Sequence, residues 1–284
     1  MKLAISNIGW VEENDEQIYG FMKRYGYSGL EIAPTRIFPN APYEKLREAE
    51  KWAKKLEREQ GFCVPSMQSI WYGRQEKIWG TKEERKILTG YTKMAIDFAL
   101  ALGCGNIVFG CPKNRCIPEG ESWETAVAFF KELGDYAAAK GTVIGMEANP
   151  VIYHTNFIND TASALEFIRQ VDSRGFLLNL DVGTMLYNEE DISELKGNVK
   201  YINHVHISEP GLRPIEERAL HGELFDRLTE EKYEKYVSIE MSKDGGLDQI
   251  EKSLKYVRNK ASFASDLDIY KYRDILHVEK EMKQ

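Results

Sequence analysis

Short β-rich runs alternate with longer segments of helical period along this chain, and the alternation repeats eight times. The runs read as strands at residues 3–8, 29–33, 63–69, 106–110, 143–148, 176–182, 202–208 and 236–241. Between them apolar residues return every three or four positions. Ile18, Phe21, Met22 and Tyr25 mark one helix face. Leu46, Ala49, Trp52, Ala53 and Leu56 mark a second, Ala162, Leu165, Ile168 and Val171 a later one, and Leu247, Ile250, Leu254 and Val257 the last; that spacing is the signature of an amphipathic helix. Asp15-Glu16 and Asp160-Thr161 have the character of helix starts, and Gly26, Gly61, Gly103, Gly141 and Gly175 follow helices as stop signals.

Eight β-then-α units imply a parallel sheet, and in 284 residues they close most naturally into a single α/β domain, a (β/α)8 TIM barrel. An open doubly wound sheet is the weaker fit, because no Gly-x-Gly-x-x-Gly follows the first strand. The barrel is expected over residues 1–260. Residues 261–284 form a C-terminal extension expected to pack on the barrel or on a partner subunit, which leaves a homo-oligomer open. The net charge of -7 disfavours a nucleic-acid partner, which needs a basic stripe. No apolar run approaches the roughly 20 residues that span a bilayer, and Met1-Lys2 leads straight into a strand rather than a signal peptide. The expected location is therefore cytoplasmic, with Cys63, Cys104, Cys111 and Cys116 as reduced thiols.

In such a barrel, chemistry collects where strands end. The last four strands each deliver one hard ligand there: Glu147, Asp181, His206 and Glu240. Side chains alternate along a strand, so Gly145, Asn179, His204 and Ser238 share the face of these residues, and Met146, Leu180, Val205 and Ile239 occupy the other. One face is small or polar on all four strands and the other is apolar. The polar face should line the lumen, with the ligands at its mouth. Three converging carboxylates repel unless a cation holds them together. The set suits a divalent ion such as Mn2+, Mg2+, Co2+ or Zn2+. His204 competes with His206 as ligand, and His206 is preferred because it lies nearer the rim.

At these residues the chain resembles the xylose isomerase-like barrel superfamily, and within it the sugar or sugar-phosphate isomerases and epimerases, including ketose 3-epimerases. The motifs are Gly29-Leu30-Glu31, Glu147-Ala148-Asn149-Pro150, Leu180-Asp181-Val182-Gly183, His204-Val205-His206-Ile207-Ser208-Glu209, and Glu240. The resemblance implies metal ligation by Glu147, Asp181, His206 and Glu240, with the two glutamates doubling as acid and base. It implies proton transfer next to a carbonyl, through an enediolate, on a small-molecule sugar. Two positions depart from the ketose 3-epimerase pattern. Thr184 stands where that pattern has a substrate-binding His. Leu212 followed by Arg213 stands where it has an Arg.

Further contacts to substrate are expected from Glu31, Gln68, Asn149 and Glu209, with Glu209 also within reach of Arg213. Lys113, Arg115 and Arg213 are candidates for an anionic group such as a phosphate, and Trp10, Trp71 and Tyr72 for a wall against the sugar. The same barrel would also serve a metal-dependent dehydratase or a hydroxypyruvate-type isomerase. An apurinic-site endonuclease fits poorly with five histidines and the acidic charge, and a non-catalytic sugar-binding barrel fits poorly with an intact ligand set.

Overall fold

A computed structural model describes residues 1–262. The expected extension over 261–284 therefore lies almost wholly outside the described residues. The strands are β1 (Lys2–Ser6), β2 (Gly29–Glu31), β3 (Ser66–Met67), β4 (Asn106–Phe109), β5 (Ile144–Glu147), β6 (Phe176–Asp181), β7 (Ile202–Ile207) and β8 (Tyr236–Ile239). The helices between them are α1 (Asp15–Arg24), α2 (Pro34–Ile37), α3 (Leu46–Gln60), α4 (Lys82–Leu102), α5 (Glu124–Ala139), α6 (Thr161–Val171), α7 (Val182–Asn188) and α8 (Ala219–Glu230). A further helix runs from 246 through 262. No helix among the described residues is long and apolar enough to cross a membrane.

All strand pairs are parallel, in the order β2-β1-β8-β7-β6-β5-β4-β3. The bridges Gly29–Cys63 and Ile32–Met67 join the two ends, so the sheet closes into a single (β/α)8 barrel. β3 is far shorter than the expected 63–69, because its pairing with β2 is reduced to those isolated bridges.

The two strand faces part as the alternation requires. Met146, Leu180, Val205 and Ile239 are fully buried on the helix side. There Phe130 of α5 and Phe167 of α6 pack on Phe176 of β6, with ring centroids 4.8 and 5.7 Å away. Each such ring contributes about 1.5–3 kcal/mol by leaving water. The helix faces differ from expectation at two residues. Leu46 is exposed at the first turn of α3 and Ala162 at the first turn of α6, where Thr161, Ala164 and Phe167 are buried instead.

Asp160 caps α6 by accepting from the Ser163 N–H, as expected. Gly175 is not the stop of that helix. Asp172 takes the left-handed conformation there, with φ of 45°. A Cβ at Gly175 would meet the Gly134 carbonyl oxygen at 2.0 Å, so this glycine is needed for the close approach of α5 to β6.

The lumen is a ladder of amides and hydroxyls. Asn106 donates to Ser66 (3.0 Å) and Asn179 (3.2 Å), and Asn203 donates to Asn106 (2.9 Å). Asn203 is also the extra residue of a register shift. Leu178 pairs with Ile202, but Asn179 pairs with His204 and Asp181 with His206. A one-residue slip exchanges the two faces. This bulge is what sets both histidines beside the lumen residues of β6.

Candidate metal centre

Glu147 ends β5, Asp181 ends β6, His206 is the penultimate residue of β7, and Glu240 directly follows β8. One ligand atom from each lies within 4.8 Å of all the others. His206 Nδ1 sits 3.0 Å from Glu147 Oε1 and 3.1 Å from Glu240 Oε2. Neighbours hold the carboxylates in place. Asn179 donates to Glu147 Oε1 (2.9 Å) and Asn149 to Glu147 Oε2 (3.1 Å). Asp181 caps α7, accepting from the Thr184 N–H at 2.6 Å, and takes the Ser208 hydroxyl on its other oxygen, also at 2.6 Å. A Cβ at Gly110 would stand 2.8 Å from Glu147 Oε2, so any larger residue would crowd that oxygen.

Burial, with Glu147 and Glu240 close by, pushes the Asp181 carboxyl up to about 7. Burial likewise raises Glu240, against the pull of His206. Burial would depress His206, but Glu31 and Glu240 hold its imidazolium well above the usual histidine range. Two buried carboxylates, a half-buried third and a buried imidazole facing one point are a donor set with excess negative charge, and a divalent cation matches its charge and chemistry. Ligands must shed their protons to bind a metal. Uptake should therefore release protons, and affinity should fall as pH drops below about 7, where Asp181 takes up its proton. Calorimetry in buffers of different ionisation enthalpy measures this. An affinity independent of pH between 5.5 and 8 would contradict it.

Glu147, Asp181 and Glu240 line one cleft together with Gln68, Asn149 and Glu209 at the C-terminal mouth of the barrel, and His206 lies fully buried just beneath them. The other expected contacts do not gather there. Glu31 is fully buried beneath the cleft, where Gln68 and the two lumen histidines surround it, so it is removed from substrate reach. Arg115 is also fully buried. The turn at Pro112–Asn114 folds it inward, and it donates to the carbonyls of Glu147 (2.8 Å) and Ile158 (3.3 Å), pinning the end of β5. Lys113 and Arg213 are exposed and outside the cleft lining. Glu209 pairs with Arg218, at 2.8 and 2.6 Å, rather than with Arg213. Trp10 and Trp71 are core residues bonded to Asp15 and Thr92, and Tyr72 faces solvent.

Tyr153 was not foreseen. It lines the cleft, and its hydroxyl accepts the Gly211 N–H at 3.0 Å, joining the loops after β5 and β7. Burial raises its phenol to about 12, so it keeps its proton. Ser69, Ser208 and Leu212 complete the polar and apolar walls beside it. Nothing in the alternation of the sequence marks loop residues such as these.

A closed eight-stranded barrel with a carboxylate-rich centre at its C-terminal mouth defines the class. The chain belongs to the xylose isomerase-like TIM barrel family, whose model matches residues 20–260. No curated protein matches it by sequence. Among solved structures it is similar to an L-ribulose 3-epimerase, with 16% identity, a TM-score of 0.75, and coverage of 97% of this chain and 98% of that one. It is similar to the D-psicose 3-epimerase of Clostridium cellulolyticum H10, solved with D-tagatose (18% identity, TM-score 0.69, coverage 95% and 99%). It is also similar to the 3-keto-D-glucoside 4-epimerase of E. coli (20% identity, TM-score 0.70, coverage 91% and 99%). At these identities the likeness concerns the fold.

Proposed function

We propose that this protein is a divalent-metal-dependent epimerase or isomerase of a neutral sugar, working by proton transfer at a carbon next to a carbonyl. The observation that carries the reading is the placement of Glu147 and Glu240. They reach one point, His206 Nδ1, from β5 and β8, and both line the cleft. Two carboxylates arriving from different strands provide a base on one side of a bound carbon and an acid on the other. Glu147, Asp181, His206 and Glu240 would hold the ion, and the ion, when bound, supplies Lewis-acid polarisation of the sugar carbonyl. Glu147 is tethered at both oxygens by Asn179 and Asn149, which aims it. Among the described residues His206 is the one ion-pair partner of the Glu240 carboxylate, and burial raises that carboxyl above its ordinary range. Tyr153, Gln68, Ser69 and Asn149 present hydrogen-bonding groups to sugar hydroxyls.

The resemblances to ketose 3-epimerases and to a ketoglucoside epimerase support a sugar ligand. Manganese is the ion proposed first, because hard oxygen ligands with one imidazole suit it. The test is metal analysis of the purified protein, followed by a panel of neutral ketoses and 3-ketoglycosides with added Mn2+, Mg2+, Co2+ and Zn2+. Turnover of none, with metal bound, would count against the reading.

The cleft also speaks on charge. Four carboxylates line it, and no Lys or Arg does so among the described residues. Arg218, beside Glu209, is already engaged by that carboxylate and by Glu216. A phosphorylated sugar should therefore be a poorer substrate than its neutral counterpart, by on the order of tenfold in kcat/KM, since its charge finds no partner. Lys113→Ala and Arg213→Ala should change neither value. Better turnover of the phosphorylated form would overturn this assignment.

A further inference from the structure

Beneath the proposed centre sits a second charged layer. Glu31, in β2, has no exposed surface, yet it carries a carboxylate. Its Oε1 accepts from Gln68 at 3.0 Å. Its Oε2 lies 3.0 Å from His206 Nε2 and 3.0 Å from His204 Nε2. The His206 contact is aligned as a hydrogen bond, whereas His204 Nε2 makes none. His206 therefore stands between two sets of acceptors. Its Nε2 points down to Glu31, and its Nδ1 points up to Glu147 and Glu240. A neutral imidazole can offer only one nitrogen lone pair, and its partner on the other nitrogen decides which.

We infer that Glu31 is a positioning residue for the proposed metal centre: it takes the Nε2 proton of His206 as a hydrogen bond and so leaves Nδ1 free to bind the ion. The inference rests on the metal reading of Glu147, Asp181, His206 and Glu240. A carboxylate behind a ligating histidine fixes the tautomer, holds the ring plane and raises the basicity of the ligating nitrogen. Gln68 ties this layer to the cleft, because the same amide nitrogen also donates to Ser6 (2.6 Å) while Gln68 itself lines the substrate side. The spacing of Glu31 in Gly29-Leu30-Glu31 suits the role. It is the last residue of β2, one strand beyond β1 from β8, and its side chain crosses the lumen to β7. Such a crossing is possible only in a closed barrel.

A second use of the same atoms competes with this one. Glu31, His204 and His206 also bring ligand atoms within 4.8 Å of one another. An ion there would require His206 to bind metal through both nitrogens, as an imidazolate, in a fully buried position. The aligned Nε2–H to carboxylate bond favours the positioning role.

Two measurements decide. The first uses the wild-type protein loaded with Zn2+ and long-range proton–nitrogen-15 correlation of its histidines. His206 should show a protonated Nε2 and a metal-bound Nδ1. A metal-bound Nε2 would overturn the inference. The second is Mn2+ titration of Glu31→Gln, checked for folding by circular dichroism and Tm. A glutamine cannot accept from both Gln68 and His206 without turning an amide donor toward one of them. Mn2+ affinity should fall about 10- to 100-fold, and a purely structural role would lower Tm and leave affinity unchanged. Affinity within twofold of wild type would remove the role of Glu31 while the proposed function stands. A stoichiometry of two ions per wild-type chain, falling to one in Glu31→Gln, would replace positioning with a second site. A wild-type chain that binds no divalent ion would overturn the proposed function and this role together.

Discussion

Asp181→Asn should yield a folded barrel that has lost its divalent ion and its turnover. The substitution is chosen for what it keeps. Asn can still accept the Thr184 N–H that caps α7, and its amide can donate to the Ser208 hydroxyl. Asp181→Ala would lose the cap as well, at a cost of about 1 kcal/mol. What Asn removes is one of three anionic donors. Affinity should fall by more than the roughly 10- to 100-fold that loss of an outer partner costs. The metal-free variant should also be more stable than the metal-free wild type at pH 8. The Asp181 carboxyl is pushed from its ordinary value up to about 7 in the folded chain. A carboxyl raised in this way costs stability when ionised. The penalty is absent below the unfolded value near 4, grows as pH rises, and is complete above about 7, where it amounts to roughly a few kcal/mol. The Tm difference between Asp181→Asn and wild type, both stripped with chelator, should therefore be positive at pH 8 and shrink toward pH 4. With saturating Mn2+ the order should reverse, because only the wild type gains binding energy. Full metal content in Asp181→Asn would remove Asp181 from the site.

Much of this centre can be read in the sequence because strand alternation is strict. Met146, Leu180, Val205 and Ile239 against Gly145, Asn179, His204 and Ser238 divide four strands into an apolar and a polar side, and the barrel uses both as the pattern says. Closure itself follows from eight repeats of one unit. What escapes is whatever depends on a bend. The bulge at Asn203 that brings β7 into register with β6 has no marker in Ile202-Asn203-His204. The turn at Pro112–Asn114 sends Arg115 inward to backbone carbonyls rather than outward to a ligand, and only the tertiary packing of the β5 loop decides that. Glu31 is expected from the sequence to contact a sugar, but its depth puts it under His206 instead. Glu209 finds Arg218 nine residues on, across a loop whose course the sequence does not reveal, and Arg213, which lies nearer in the chain, turns to solvent. Tyr153 enters the cleft by the same kind of loop folding.

The two glutamates should separate metal binding from chemistry. Glu→Gln keeps the size of the side chain and one ligand oxygen but removes the base. Glu240→Gln is the cleaner of the pair, since among the described residues His206 Nδ1 is its one ion-pair contact. Glu147→Gln must turn its new amide toward Asn179 or Asn149, both of which donate to it, so some affinity is lost with the base. Turnover should fall by about 10²–10⁴ in each, the usual contribution of a positioned proton-transfer group. Mn2+ affinity should fall far less in Glu240→Gln. The readout that ties these losses to mechanism is deuterium uptake from D2O into the sugar. Wild type should wash deuterium into one carbon next to the carbonyl, and only with metal present. Each glutamate is delivered to the cleft from its own strand region, Glu147 from the end of β5 and Glu240 from just past β8. For an epimerase, Glu147→Gln should therefore suppress exchange into one epimer more than the other, and Glu240→Gln should show the opposite preference. Glu240 is assigned as the donor when Glu147 is the base, and the roles exchange for the other epimer. Equal loss for both epimers in both variants would point to an aldose–ketose isomerisation served by one face. Conversion of a true substrate with no solvent deuterium at any carbon would mean that hydrogen moves without leaving the sugar, and both glutamates would then be ligands alone.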